Sequence, residues 1–221
     1  KDAGYFTYFV VKKDSKLKKF DDVKGKILSL NTIGSTSGDL IPQVELNKIN
    51  LSIKNKDHFK MAYSLLMTLR GIPQVYYGTE LLFGETGDKG DGSKRPDMPG
   101  GWKEDKRSIF TEVGRTDSEN ETYNYVKSIT SWRKTRKSIH EGKTKHFVPD
   151  NNVYVYFRYT DSETTMIIVN LQDKDIEIQP NRYKEVLGKF KSGKLVPNNS
   201  SFDITKTFTV KAKTTSIFEL N

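Results

Sequence analysis

Hydrophobic positions along the chain repeat with two different periods. Between residues 57 and 70 they recur at helical spacing, at Phe59, Ala62, Leu65, Leu66 and Leu69. Asp57 can cap the start of this predicted helix and Gly71 its end. From Lys145 onward the period becomes two, which predicts short strands at His146–Val148, Val153–Tyr159, Thr165–Leu171, Asp175–Gln179, Tyr183–Leu187, Phe208–Val210 and Thr215–Leu220. Such a series of short strands predicts an antiparallel sandwich.

Two further elements lie between the first helix and the strands. Val75-Tyr76-Tyr77 follows Pro73 and stops at Gly78, which predicts a short buried strand with Glu80 just beyond its end. Ser118-Glu119-Asn120-Glu121 fits a capping box and predicts a helix to Lys137, with Tyr125, Ile129 and Trp132 on one face. A helix followed closely by a strand is one unit of an α/β barrel or a doubly wound sheet.

The first fifty residues follow another pattern. Apolar stretches at Tyr5–Lys12 and Ile27–Leu30 precede a loop of Gly, Ser and Thr, and a helix is predicted from Asp39 to Lys48. A hydroxyl-rich loop at a helix N-terminus can bind an anion, because its backbone N–H groups are unpaired and the helix dipole favours negative charge. Ser35, Thr36 and Ser37 are the candidate anion contacts, and simple helix capping is the alternative.

The segment from Lys56 to Asn221 resembles the α-amylase family of glycoside hydrolases, and in particular its neopullulanase and cyclomaltodextrinase group. The residues that carry the resemblance are Gly71-Ile-Pro-Gln-Val-Tyr-Tyr-Gly-Thr-Glu80, Gly90-Asp91-Gly92, Pro99-Gly100-Gly101-Trp102 and Val153–Tyr159. It implies a mixed α/β fold followed by an all-β fold. Residues 56–141 would be the end of a (β/α)8-type barrel, and residues 142–221 a C-terminal antiparallel β-sandwich.

The same resemblance implies an activity that this sequence does not carry alone. The family acts on α-1,4-glucans and maltooligosaccharides, the products of starch, through carboxylates on barrel strands that have no counterpart here. Retaining glycosidases need two carboxyl groups flanking the scissile bond. We therefore assign no catalytic residue and expect the chain to be inactive by itself. Glu80 is expected to accept a hydrogen bond rather than to act on substrate.

The loop from Phe83 to Trp102 is the predicted sugar-binding element, because a long loop of this kind is usually functional or disordered. By resemblance, Asp91, Arg95 and Asp97 contact sugar hydroxyls and Trp102 offers a stacking face. The alternative is a mobile surface loop with Trp102 packed beneath it. No metal site is assigned, since the acidic run around Asp91 fails the EF-hand spacing. The resemblance allows calcium only in the parent enzyme.

Residues 1–52 resemble a second family, the periplasmic phosphate- and phosphonate-binding proteins of ABC transporters. The matching elements are Val10-Val11-Lys12-Lys13-Asp14-Ser15, Phe20-Asp21-Asp22-Val23-Lys24-Gly25-Lys26 and Gly34-Ser35-Thr36-Ser37-Gly38. They imply an α/β fragment of binding-protein type over residues 1–55 and phosphate or phosphonate as an alternative ligand. The chain is therefore chimera-like, whether through a chimeric or mis-assembled gene, a fusion, or drift from both parents.

Composition and charge limit the classes of partner and the cellular location further. The 221 residues carry a net charge of +9, yet the lysines of the first quarter are interleaved with acids and no nucleic-acid module is recognisable. We therefore expect no nucleic-acid partner. No apolar run approaches a membrane span, and the absence of cysteine leaves the redox compartment open. The start at Lys1 suggests processing or truncation, and the resemblances imply a periplasmic or otherwise extracytoplasmic location.

Overall fold

A computed structural model describes residues 55–83 and 96–221. Its helices are α1 (Lys56–Thr68), α2 (Asp117–Lys134), α3 (Lys137–His140) and α4 (Lys184–Leu187), with 3-10 turns at Thr79–Leu81 and Pro180–Tyr183. Its strands are β1 (Lys143–His146), β2 (Val153–Tyr159), β3 (Thr164–Asn170), β4 (Ile176–Ile178), β5 (Ser192–Val196), β6 (Ser201–Asp203), β7 (Phe208–Val210) and β8 (Thr214–Leu220). The predictions made for residues 1–54 and 84–95 lie outside the described residues.

The strands form two antiparallel sheets. The larger has the order β1-β2-β3-β8-β5-β6, and the smaller pairs β4 with β7. At the centre, β2 and β3 pair along their whole length, from Val153 opposite Asn170 to Tyr159 opposite Thr164. A tight turn joins these two strands, in which the Thr160 amide donates to the Glu163 carbonyl at 2.8 Å.

The main core fills the space between the two sheets. Alternate residues of the large sheet point into it, including Phe157, Met166 and Phe218, and they meet Ile178 and Phe208 of the small sheet. Aromatic edges contact aromatic faces there, as between Phe208 and Phe218 with ring centroids 5.5 Å apart. The predicted antiparallel sandwich is confirmed.

The opposite face of the large sheet is covered by α1 and α2. Ile217 of β8 is fully buried there against Phe59 and Met67 of α1 and Ile129 of α2. The Thr215 hydroxyl also donates to the Met61 carbonyl at 3.0 Å. Because both faces are covered, every residue of β3 is buried, which accounts for its unbroken apolar run.

The predicted strand at Val75–Tyr77 is wrong. Residues 72–76 have no regular secondary structure, and Gly78 adopts the left-handed conformation before the 3-10 turn. A strand requires a neighbour that shares its hydrogen bonds, and no described residue pairs with this segment. Glu80 therefore lies in a 3-10 turn and not at a strand end. The barrel part of the expected fold stays a prediction.

Both predicted helix caps are displaced towards the N-terminus. Asn55, and not Asp57, caps α1, since its side chain accepts from the Asp57 and His58 amides. The capping box of α2 is formed by Thr116 and Glu119, two residues before the expected Ser118. In each helix a polar side chain two residues before the predicted cap accepts hydrogen bonds from the N–H groups of the first turn, and that residue is the N-cap.

The buried face of α1 also differs from the predicted one. Ala62 is exposed, whereas Phe59, Tyr63 and Met67 are buried at positions i, i+4 and i+8. Leu65 and Leu69 are partly buried and pack on Tyr156, Ile167 and Val169 of the sheet. Apolar residues surround α1 on more than one side, so the position of the large sheet decides which of them become core.

Within the sandwich, the strand prediction fails in one segment, is displaced in a second and misses two strands. The strand predicted at His146–Val148 is Lys143–His146 in the structure, so the two share only one residue. Tyr183–Leu187 is helical: the 3-10 turn that starts at Pro180 runs into α4, and Tyr183, Val186 and Leu187 are buried at helical spacing. The sequence analysis missed β5 and β6. Both are short and rich in Ser and Lys, so they lack the alternating apolar pattern that identifies half-buried strands.

Candidate functional site

The candidate site residues divide between described and undescribed parts of the chain. Asp97 and Trp102 are both exposed, and the Trp102 side chain has 65% of its surface accessible. The indole therefore does not pack beneath the loop. Asp91, Arg95 and the alternative anion contacts Ser35, Thr36 and Ser37 lie outside the described residues.

Asp105 holds the backbone next to Trp102. Its Oδ2 atom accepts from the Gly100 amide at 2.6 Å and from the Trp102 amide at 3.0 Å. These bonds to the charged form lower the pKa of the Asp105 carboxyl, with the Trp102 amide as the largest cause. The Trp102 backbone is thus fixed while its ring stays open to solvent.

The loop that follows is anchored by the buried side chain of Ile109 and by several polar contacts, most of them made by Arg115. Ile109 is buried to 1% exposure, and its amide donates to the Pro99 carbonyl at 3.0 Å. Arg115 donates from Nη1 to the Ile109 carbonyl at 3.2 Å and from Nε to Asn120 Oδ1 at 2.7 Å. Its guanidinium also lies 4.1 Å from the centre of the Tyr123 ring. The loop is therefore attached to the first turns of α2.

A forked ion pair completes this attachment. Arg107 donates from Nη1 to Glu119 Oε2 at 2.7 Å and from Nη2 to Oε1 at 2.9 Å. Glu119 Oε2 also accepts from the Thr116 amide at 2.7 Å, as the reciprocal half of the capping box. The Arg107 hydrogen bond is the main cause that lowers the pKa of Glu119 to about 2.

Arg133 fixes the place where α1 ends. This buried guanidinium donates from Nε to the Met67 carbonyl at 3.0 Å and from Nη2 to the Gly71 carbonyl at 3.3 Å. A cation at these carbonyls also complements the dipole at the C-terminus of the helix. The Arg133 carbonyl in turn accepts from His140 Nε2 at 2.8 Å. The start of segment 72–77 is therefore tied to α2 and α3.

The far end of segment 72–77 is held as well. The Tyr77 hydroxyl donates to the Pro96 carbonyl at 3.1 Å, and Leu81 in the 3-10 turn is buried to 5% exposure. Gly78 has φ of +79°, and a Cβ there would lie 2.6 Å from the Phe83 side chain. Burial raises the pKa of the Tyr63 hydroxyl, and the negative charge of Glu80 raises the same pKa further.

The geometry leaves a candidate surface: the Trp102 indole and the Asp97 carboxylate are exposed, and Asp105 holds the Trp102 backbone. Among residues 55–83 and 96–221, no three His, Asp or Glu side chains are grouped so that they could hold a metal ion. Sequence reasoning missed Asp105, Arg107, Arg115 and Arg133 as supports of this surface. The Thr-x-x-Glu spacing at residues 116–119 is the local signal that could have located Glu119, the partner of Arg107.

Comparison with known families identifies the proteins that the sandwich resembles. Residues 144–219 match the family model of the cyclo-malto-dextrinase C-terminal domain. This part of the chain is similar to the C-terminal domain of the cyclomaltodextrinase and α-amylase family. A second model, for periplasmic phosphonate-binding proteins of ABC transporters, matches residues 1–67 and so extends into α1 next to the cyclomaltodextrinase-type part. The expected combination of two families is confirmed.

Individual relatives share the amylase-type region. The chain is 22% identical over 183 residues to a cyclomaltodextrin glucanotransferase of Bacillus sp. (strain 6.6.3), covering 79% of this chain and 23% of the relative. It is 24% identical over 176 residues to an α-amylase of Niallia circulans, covering 76% and 30%. The chain thus spans less than a third of the length of either relative.

A solved structure supports the same fold. The α-amylase of Geobacillus thermoleovorans, complexed with acarbose, superposes with a TM-score of 0.58 at 21% identity and covers 78% of this chain and 36% of its own. This likeness establishes the fold of the aligned, cyclomaltodextrinase-type region. In the described part of the chain, no helix combines the length and the apolar character needed to cross a bilayer.

Proposed function

We propose that this chain is the C-terminal portion of an α-amylase-family glycoside hydrolase of neopullulanase type, acting on α-1,4-glucans and maltooligosaccharides derived from starch. The family match of residues 144–219 is the observation that carries the proposal. The relatives named above are glucan-acting enzymes, which supports the substrate class. The parent enzyme would have a TIM barrel, of which residues 56–141 are the end, and an extracytoplasmic, periplasmic location.

In this proposal the sandwich supports the glucan-binding side of the molecule. The large sheet carries α1 and α2, the N-terminal turns of α2 carry the Trp102 loop, and Arg133 positions the exit from α1. Each layer is fixed to the next by buried contacts or by hydrogen bonds. The chain therefore contributes substrate contacts to the parent enzyme, and the hydrolytic carboxylates come from outside it.

The proposed sugar contacts are Asp91, Arg95, Asp97 and Trp102. An exposed indole offers an apolar face to the C–H groups of a glucose ring, and carboxylate and guanidinium groups pair with its hydroxyls. Trp102 suits this role because its ring is exposed while its backbone is held by Asp105. The proposal predicts binding without turnover for the chain alone.

Calorimetric titration of the whole chain with maltotriose tests this function. We expect heat of binding that is lost in Trp102→Ala and retained in Phe110→Ala, whose side chain is similarly exposed at 62% but is not a proposed sugar contact. Equal loss in both variants, or absence of maltotriose binding in the parent chain, would contradict the proposal. Circular dichroism of each variant confirms that the fold is intact.

A second candidate function rests on the N-terminal match. The phosphonate-binding model covers residues 1–67 and includes the Gly34-Ser35-Thr36-Ser37-Gly38 loop, so this segment could bind phosphate or a phosphonate as part of an ABC transporter. Titration with inorganic phosphate and methylphosphonate tests this alternative. Binding that Ser35→Ala abolishes and Trp102→Ala leaves unchanged would favour the transporter module over the enzyme.

A further inference from the structure

Three arginines lie near the end of α1, and two of them are buried. Arg158 of β2 is 2% exposed and Arg133 of α2 is 9% exposed, whereas Arg70 is exposed just after α1 ends. Buried charged side chains are normally paired with an opposite charge, because removing an ion from water without compensation is costly. Within residues 55–83 and 96–221, however, every ion pair uses other cations, so none of these arginines is paired with a carboxylate there.

Direct contacts bring the three arginines together. Arg133 donates to the carbonyl of the residue after Arg70 at 3.3 Å, and from Nη1 to His140 Nδ1 at 3.3 Å. Arg158 donates from Nη2 to the carbonyl of Ile139, the residue before His140, at 2.8 Å. The short helix α3 therefore joins Arg133 to Arg158. Burial lowers the pKa of the Arg158 guanidinium most, and the positive charges of Arg70 and Arg133 lower it further, as like charges do at close range.

The neutral partners of these arginines leave donors unused. The Nε–H group of Arg158 is buried and has no hydrogen-bond partner, while its two Nη atoms donate to the Thr144 hydroxyl and to a backbone carbonyl. Arg133 uses three of its five N–H groups, on two carbonyls and the histidine ring. Among the described contacts none uses the Arg70 guanidinium. Because carbonyl and hydroxyl oxygens carry only partial negative charge, the positive charge of the cluster is not neutralised.

We propose that Arg70 and Arg133 bind a small tetrahedral oxyanion of the phosphate or sulfate class at the exit from α1, with Arg158 adding its buried positive charge. Guanidinium groups suit this ligand, because their planar forks donate pairs of N–H groups to neighbouring oxygens. Arg70 is exposed and gives the ion access. Arg133 is already held by its bonds to backbone carbonyls, so little side-chain freedom is lost on binding. The site is independent of the proposed sugar contacts.

Calorimetric titration of the whole chain with inorganic phosphate, at constant ionic strength, is the first test. We expect binding whose Kd Arg70→Ala raises by about tenfold or more, the usual effect of losing hydrogen bonds to a charged group. Lys174→Ala is the matched control, since it removes one exposed positive charge beside β4 of the small sheet, and it should leave Kd unchanged. The binding should persist in a Ser35→Ala background, which separates this site from the candidate anion loop.

Thermal unfolding gives a second readout, because a ligand that binds only the folded chain raises Tm. Phosphate at about ten times its Kd should raise Tm by about 3–6 °C, whereas sodium chloride at equal ionic strength should not. Arg70→Ala and Arg158→Met should each lose most of this shift. A purely structural role of Arg158 would instead lower Tm equally with and without phosphate. Glucose 1-phosphate, titrated in parallel, identifies the source: equal affinity indicates the free ion, and tighter binding a phosphorylated sugar.

Three results would overturn the inference: phosphate binding that Ser35→Ala abolishes or that is absent from the start, the same Kd in Arg70→Ala and Lys174→Ala, or a Tm increase with chloride as large as that with phosphate. Failure of the proposed function is distinct. In that case phosphate binds with the expected dependence on Arg70, yet the chain does not bind maltotriose.

Discussion

Replacing Ile217 by Ala tests whether the helices and the sandwich form one cooperative body. Ile217 lies on the face of β8 that meets α1 and α2, and it is fully buried beside Phe59, Met67 and Ile129. Its neighbour Phe218 points to the other face, into the core between the sheets. The substitution therefore perturbs only the contact between helices and sheet.

The expected loss follows from burial. Truncating a fully buried Ile to Ala removes its transfer free energy and leaves a cavity, which together cost about 2–5 kcal/mol. We expect about 3 kcal/mol here, since helices on one side and a hydrogen-bonded sheet on the other limit collapse of the cavity. For a chain of this size that loss lowers Tm by roughly 6–12 °C.

Urea unfolding with two signals measures the effect. Far-UV circular dichroism reports all secondary structure, and in a Trp102→Phe background the remaining tryptophan, Trp132, reports the helix–sheet contact through its 2.6 Å hydrogen bond to Glu219. We expect one transition, with both midpoints lowered equally by Ile217→Ala. Val148→Ala is the control and should change stability by less than about 0.5 kcal/mol, because its side chain is exposed.

Two results would refute the reasoning. Separate transitions for the two signals would mean that the helices unfold independently of the sandwich. An Ile217→Ala loss no greater than that of Val148→Ala would mean that the buried contact does not contribute to stability.

The remaining predictions concern single contacts. Gly78→Ala should destabilise the chain by about 1–3 kcal/mol in urea unfolding, since it adds a clashing Cβ at positive φ, whereas Gly101→Ala has room and should be nearly neutral. Protonation of Glu119 at low pH should lower the free energy of unfolding by about 1 kcal/mol, because the pKa of this carboxyl in the folded chain is about 2, below the ordinary 4.5. This contribution to stability is present above pH 4.5 and is lost as the pH falls towards 2. In urea unfolding followed over this pH range, Glu119→Gln should abolish that part of the pH dependence, and an unchanged pH dependence in the variant would contradict the prediction. Tyr156→Phe should cost about 1 kcal/mol in thermal unfolding by removing a 2.7 Å bond to a threonine hydroxyl of α1; a neutral result would contradict that contact.

The sequence predicts the sandwich well where burial imposes a strong pattern. Val153–Tyr159 and Phe208–Val210 have the predicted limits, because alternate residues must face the core. The pattern weakens in short segments that fit two periods. Tyr183–Leu187 is predicted as a strand, yet its apolar residues Tyr183, Val186 and Leu187 stand at helical spacing, and the 3-10 turn that starts at Pro180 leads into a helix.

The candidate site is less predictable because its supports come from distant parts of the sequence. The exposure of Trp102 depends on Asp105, and the fixed exit from α1 depends on Arg133, whose partners lie more than sixty residues earlier. No local spacing encodes such contacts. Val75–Tyr77 has a strand sequence but forms no strand, since pairing depends on a neighbour that local propensity cannot provide.

Release of reducing sugar from maltoheptaose by the purified whole chain tests the central claim most directly. We predict no release above a buffer control, because in the proposed function this chain supplies substrate contacts while the hydrolytic carboxylates lie outside it. Release that grows with chain concentration and persists after further purification would contradict the account, since this chain would then carry a complete catalytic site.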